Sequence, residues 1–80
     1  MVTVVFGASL RDVTGVGETE VEPGSVRRII AALDEQWPGL GDRLRDGTSV
    51  AIDGEILHDA ELEQVPDGAE LHFIAVIGGG

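Results

Sequence analysis

The sequence predicts an α+β domain, a mixed sheet with one principal helix packed across one face. Three observations carry that expectation. Only one stretch, Val26 to Trp37, shows a long apolar stripe at helical spacing. Short β-branched and aromatic runs stand near both ends of the chain, Val2-Thr3-Val4-Val5-Phe6 and Leu71 to Ile77. Between them, Pro-Gly and Asp-Gly pairs recur often enough to keep every element short.

The first run reads as a strand. Gly7 to Gly17 reads as a loop, with one amphipathic patch at Leu10-Arg11-Asp12-Val13 that suits a helical turn. Glu18-Thr19-Glu20-Val21-Glu22 alternates weakly, as an edge strand does, and Pro23-Gly24 stops it. Ser25 is a good N-cap, because its hydroxyl can accept from an amide of the first helical turn. Val26, Ile29, Ile30, Leu33 and Trp37 then form the stripe, Arg27, Arg28, Asp34 and Glu35 lie opposite, and Pro38-Gly39 ends the helix. An irregular stretch runs through Arg45-Asp46-Gly47. Val50-Ala51-Ile52 is the next strand, Asp53-Gly54 a tight turn, and Glu55-Ile56-Leu57 a short returning strand. Val65-Pro66-Asp67-Gly68 is a further turn, and Glu70 to Ile77 is the last and most apolar strand.

The order is thus β-β-α-β-β-β, and the helix must lie across the sheet to bury its stripe. Pairing the last strand with the first in parallel sets both in the middle of the sheet, which is the β-grasp, or ubiquitin-like, arrangement. Val4, Phe6, Val50, Ile52, Leu71 and Phe73 then face Ile29, Ile30 and Leu33. Period-two alternation sends Val5, Ala51, His72 and Ile74 to the open face, where they form a candidate partner-binding patch. Residues 1–77 make the domain, and 78–80 a glycine tail.

That tail, Gly78-Gly79-Gly80, follows directly from the central strand. Glycine loses more backbone freedom on ordering than any other residue and carries no side chain to block a narrow channel. The tail therefore reads as a thin thread ending in a free carboxylate, suited to entering another enzyme's active site, or else as an incidental frayed end.

Composition narrows the function classes. A chain of 80 residues forms one domain with a modest core, too little material for a deep catalytic cleft. The absence of cysteine excludes disulfides, thiolate metal sites and cysteine nucleophiles. The net charge of −10 opposes binding to nucleic acid or anionic lipid; it suits a protein partner with a basic groove, and solubility alone is the commoner reason for most such charges. There is no lysine among the basic residues, so no side-chain amine can accept an isopeptide bond. No signal-like segment opens the chain and no apolar run approaches the ~20 residues that span a bilayer, so the cytoplasm is the expected location. His58 and His72 lack the companions of a catalytic or metal site; a contact role for His72 is the better reading. Ser9, Ser25 and Ser49 lack a nucleophile elbow, and Gly15-Val16-Gly17 has no phosphate-loop lysine. Metal binding is not expected.

Taken in order, Val2-Thr3-Val4-Val5-Phe6, Leu10-Arg11-Asp12-Val13-Thr14-Gly15, Ser25-Val26, Val50-Ala51-Ile52-Asp53-Gly54, Pro66-Asp67-Gly68-Ala69-Glu70-Leu71 and the terminal Gly79-Gly80 resemble the MoaD/ThiS sulfur-carrier proteins. The likeness runs over essentially the whole chain and is strongest to the small subunit of molybdopterin synthase. One departure is Ile74-Ala75, where those subunits commonly carry Pro-Pro. The resemblance implies that an ATP-dependent activating enzyme adenylates the Gly80 carboxylate and that a sulfurtransferase-type donor displaces AMP, leaving a thiocarboxylate. Gly79 and Gly78 would serve by being thin. The chain itself would bind no cofactor, since ATP belongs to the activating enzyme. A molybdopterin synthase large subunit is the implied acceptor partner. Other sulfur pathways (thiamine, cysteine or tRNA thiolation), a ubiquitin-like protein modifier and a passive interaction module remain alternatives.

Overall fold

The computed structural model describes residues 1–46, 48–57 and 60–75. Its elements run β1 (Val2–Phe6), α1 (Ala8–Thr14), β2 (Glu18–Val21), β3 (Gly24–Ser25), α2 (Val26–Gln36), α3 (Leu40–Asp46), β4 (Thr48–Ile52), β5 (Glu55–Leu57), β6 (Gln64–Val65) and β7 (Glu70–Ala75). Five strands form one mixed sheet in the order β2-β1-β7-β4-β5. β1 and β7 run parallel, with Val4 opposite Leu71 and Phe6 opposite Phe73. The remaining pairs are antiparallel. This is the β-grasp arrangement that the sequence predicts.

Alternation along β1 buries Val2, Val4 and Phe6, while Leu71 and Phe73 of β7 continue the same face. Helix α2 covers it with Val26, Ile29, Ile30 and Leu33. Ser25 caps that helix as expected, its Oγ accepting from the Arg28 amide at 3.2 Å. Trp37 follows the last helical residue and packs at the core's edge, its ring meeting Phe6 edge-on at 5.6 Å between centroids. Ile52 is only half-buried, because it lies toward the β5 side of the sheet.

Three elements go beyond the sequence reading. The patch around Leu10 is a complete two-turn helix, with Leu10 buried and Gly15 closing it at φ 74°. The stretch read as irregular before Gly47 holds α3, which seats Leu40 and Leu44 in the core. Its start is organised from the preceding helix: Asp34 Oδ1 accepts from the amides of Gly39 at 3.1 Å and Gly41 at 2.8 Å. A Cβ on residue 41 would stand 3.0 Å from that oxygen, so any larger residue there would push the Asp34 side chain back by a few tenths of an ångström. Finally, β3 and β6 form a separate two-stranded ladder beside the start of α2. Among the described residues, no helix is long and apolar enough to cross a membrane.

Candidate functional site: the open sheet face and the strand that leads to the tail

The face of the sheet turned away from α2 is built by register. Across the five strands, Glu18, Val5, His72, Ala51 and Ile56 stand in one row. A second row contains Glu20, Thr3 and Glu70, and Ile74 stands opposite Ser49. The centre of the face is thus apolar, with carboxylates along the β2 side and at Glu70.

Of the four residues expected to form the patch, Val5 is half-buried, His72 retains about a third of its side-chain exposure, and Ile74 is 43% exposed. Ala51 departs from the expectation: it points to the open face but is only 5% exposed. Its neighbours in register are His72 and Ile56, and a methyl group is too short to rise between those longer side chains. Ile56 takes its place in the patch at 59% exposed. The signal for Ile56 lay in the turn, since a two-residue loop at Asp53-Gly54 fixes Ala51 opposite Ile56. Both turn residues have positive φ, 49° and 88°, as the tight hairpin requires.

His72 Nε2 meets Glu70 Oε1 at 2.5 Å on this face. Asp53 extends the central ladder one step further, donating its amide to the Glu70 carbonyl and accepting the Glu70 amide on Oδ1, both at 2.9 Å. The Asp53 contacts tie the beginning of β7 to the β4 side, and β1 pairs along its other side. Gly78, Gly79, Gly80 and His58 lie outside the described residues.

The site has the chemistry of a contact surface. Among the described residues, no group of three or more His, Cys, Asp or Glu side chains is arranged to hold a metal. Every buried side-chain nitrogen or oxygen described has a hydrogen-bond partner. Thr14, the one buried polar residue described, both donates to and accepts from the backbone of Val16.

Comparison with known proteins agrees with this geometry. The ThiS family model matches residues 4–80. The chain is 33% identical over 75 residues to the tRNA uridine 5-carboxymethylaminomethyl modification enzyme MnmG of Parabacteroides distasonis; the match takes in 89% of this chain but only 12% of that enzyme. Among solved structures, the Amycolatopsis orientalis BexX/CysO complex contains a chain of TM-score 0.86 and 25% identity, with both chains covered completely. The Helicobacter pylori complex of molybdopterin-converting factor subunits 1 and 2 contains one of TM-score 0.68 and 15% identity, covering 99% of this chain and 97% of that one. Family match and fold together give one conclusion: the chain belongs to the ThiS family of ubiquitin-like sulfur carriers.

Proposed function

We propose that this protein carries sulfur as a thiocarboxylate on Gly80 and delivers it within a two-protein complex. The observation that carries the reading is the extent of the family match, which runs through the glycines to residue 80. A carboxylate is a poor electrophile, so the chemistry starts outside this chain. A carboxylate oxygen of Gly80 attacks the α-phosphorus of ATP on an activating enzyme, and pyrophosphate leaves. A hydrosulfide equivalent from a sulfurtransferase-type donor then attacks the acyl carbon and expels AMP, leaving the thiocarboxylic acid. Its sulfur is the nucleophile presented to the acceptor enzyme. The chain supplies no acid, base or cofactor to these steps; it supplies a thin thread and a face for docking.

Molybdopterin synthesis, with this chain as the small subunit beside a large one, is the first reading, supported by the motifs that the sequence shares with that small subunit and by the likeness in fold to molybdopterin-converting factor subunit 1. A different sulfur pathway is the second reading, favoured by Ile74-Ala75 in place of Pro-Pro and by the likeness to the chain in the BexX/CysO complex.

ATP–pyrophosphate exchange with the cognate activating enzyme tests the proposal. Deleting Gly80, or replacing Gly79 with Val, which stiffens and widens the thread, is expected to abolish exchange and leave the melting temperature unchanged. Exchange at the parent rate in both variants would overturn it. Intact mass of the protein from its native host is expected to show replacement of one oxygen by sulfur.

A further inference from the structure

β2 is the outer strand of the sheet, and the parity of its hydrogen bonds shows what its free side offers. The Thr3 amide donates to Ala69 and the Phe6 amide to Gly17. Odd residues of β1 therefore turn their backbone groups toward β7, and even ones toward β2. In the register Val2–Val21, Thr3–Glu20, Val4–Thr19, Val5–Glu18, it is Thr19 and Val21 that bond to β1. The N–H and C=O groups of Glu18 and Glu20 point outward, with no partner strand among the described residues.

Beside this edge, on the helix side, lies a groove of about 480 Å³. Val21 and Ile29 are its buried floor; Pro23, Ala32 and Gln36 line its exposed part, and Met1, Glu20 and Glu22 complete the rim. Arg28 stands at the end near Gly24, with its Cδ beside that residue.

We infer that this edge is a docking site for an extended segment of a protein partner in which basic and apolar residues alternate, added antiparallel to β2 as a sixth strand. The inference is independent of the chemistry at Gly80. Main-chain bonds from Glu18 and Glu20 supply the pairing, and alternate side chains supply the selectivity. Residues opposite Glu18 and Glu20 share the open face with two exposed carboxylates, which favours Lys or Arg. Residues opposite Thr19 and Val21 point to the groove, whose buried floor of Val21 and Ile29 favours apolar side chains. A shift by one residue takes the apolar side chains off that floor and sets them beside the carboxylates, so the alternation selects the register. The same two glutamates disfavour a second copy of this chain, because pairing β2 with β2 sets them against one another.

The probe is a capped, fluorescently labelled Lys-Val-Lys-Val-Lys-Val peptide, followed by anisotropy and by amide shifts of the isotopically labelled protein. Saturable binding is expected, with shifts at Glu18 to Glu22 and at Arg28, Ile29 and Ala32. The blocked isomer Lys-Lys-Lys-Val-Val-Val should bind roughly tenfold more weakly or worse. N-methylation of the Lys amides, which face β2, should cost at least as much, while N-methylation of the Val amides should be tolerated. The double variant Glu18→Lys, Glu20→Lys should reject this peptide and accept Glu-Val-Glu-Val-Glu-Val. Equal binding of the two isomers, indifference to Lys methylation, shifts centred on Val5, His72 and Ile74, or no binding at all would each overturn the inference.

Discussion

Leu33 has no exposed surface and lies where α2 meets the sheet. Leu33→Ala removes its buried methyl and methylene groups and leaves a cavity, which costs about 2–5 kcal/mol, a large share of the stability of so small a domain. Urea unfolding at neutral pH reads it directly. Asp67 acts through charge. The N-terminal ammonium of Met1 bonds to its carboxylate, and the Gly68 amide donates to the Met1 carbonyl. That ammonium, by hydrogen bond and by charge, holds the Asp67 carboxyl below its ordinary value of 3.8. A carboxyl whose value is lowered by folding contributes stability that is present above the unfolded value and lost as pH falls through the folded one. Asp67→Asn is therefore expected to unfold more easily than the parent at pH 7, with the two curves converging below about pH 4. Both partners are largely exposed, so the gap at pH 7 should be small.

Elements announced by their own periodicity were legible: β1, α2 with its Ser25 cap, the Asp53-Gly54 hairpin and β7 as far as residue 75 stand where the sequence placed them, while residues 76 and 77 of the expected last strand lie outside the described residues. Those created by tertiary contact were not. α3 has only two apolar residues, Leu40 and Leu44, one helical turn apart, and its start depends on a carboxylate from another helix. Local propensity does not carry that information. The two-residue ladder of β3 and β6 is too short to leave a pattern. On the open face, alternation identified the side to which Ala51 points, but its burial depends on the size of its neighbours across the strands. Asp34→Ala withdraws the acceptor for two amides and is expected to cost ~0.5–2 kcal/mol, comparable to loss of a helix cap. Hydrogen exchange should quicken along residues 40–45 first while α2 stays protected; uniform quickening would mean that Asp34 does not organise α3 specifically.

The whole molecule combines an acidic exterior with one apolar face, and each part has its own signature in solution. Association with the activating enzyme should slow as salt rises, because charge steers the encounter; on-rates measured across a salt series check this. Ile74→Asp should leave the melting temperature nearly unchanged and weaken the same association, since an exposed apolar face on a small protein usually marks a contact site. Normal binding by that variant would move the docking face elsewhere. The parallel pairing of β1 with β7 has a further consequence, for synthesis. A nascent chain that has not yet delivered residues 70–75 lacks the strand on which both β1 and β4 depend. The five-stranded sheet can close only after that segment has left the ribosome, although earlier parts of the chain emerge before it. Translation that stops short of residue 70 therefore leaves at most two separate hairpins, β1–β2 and β4–β5, with no strand to join them into one sheet.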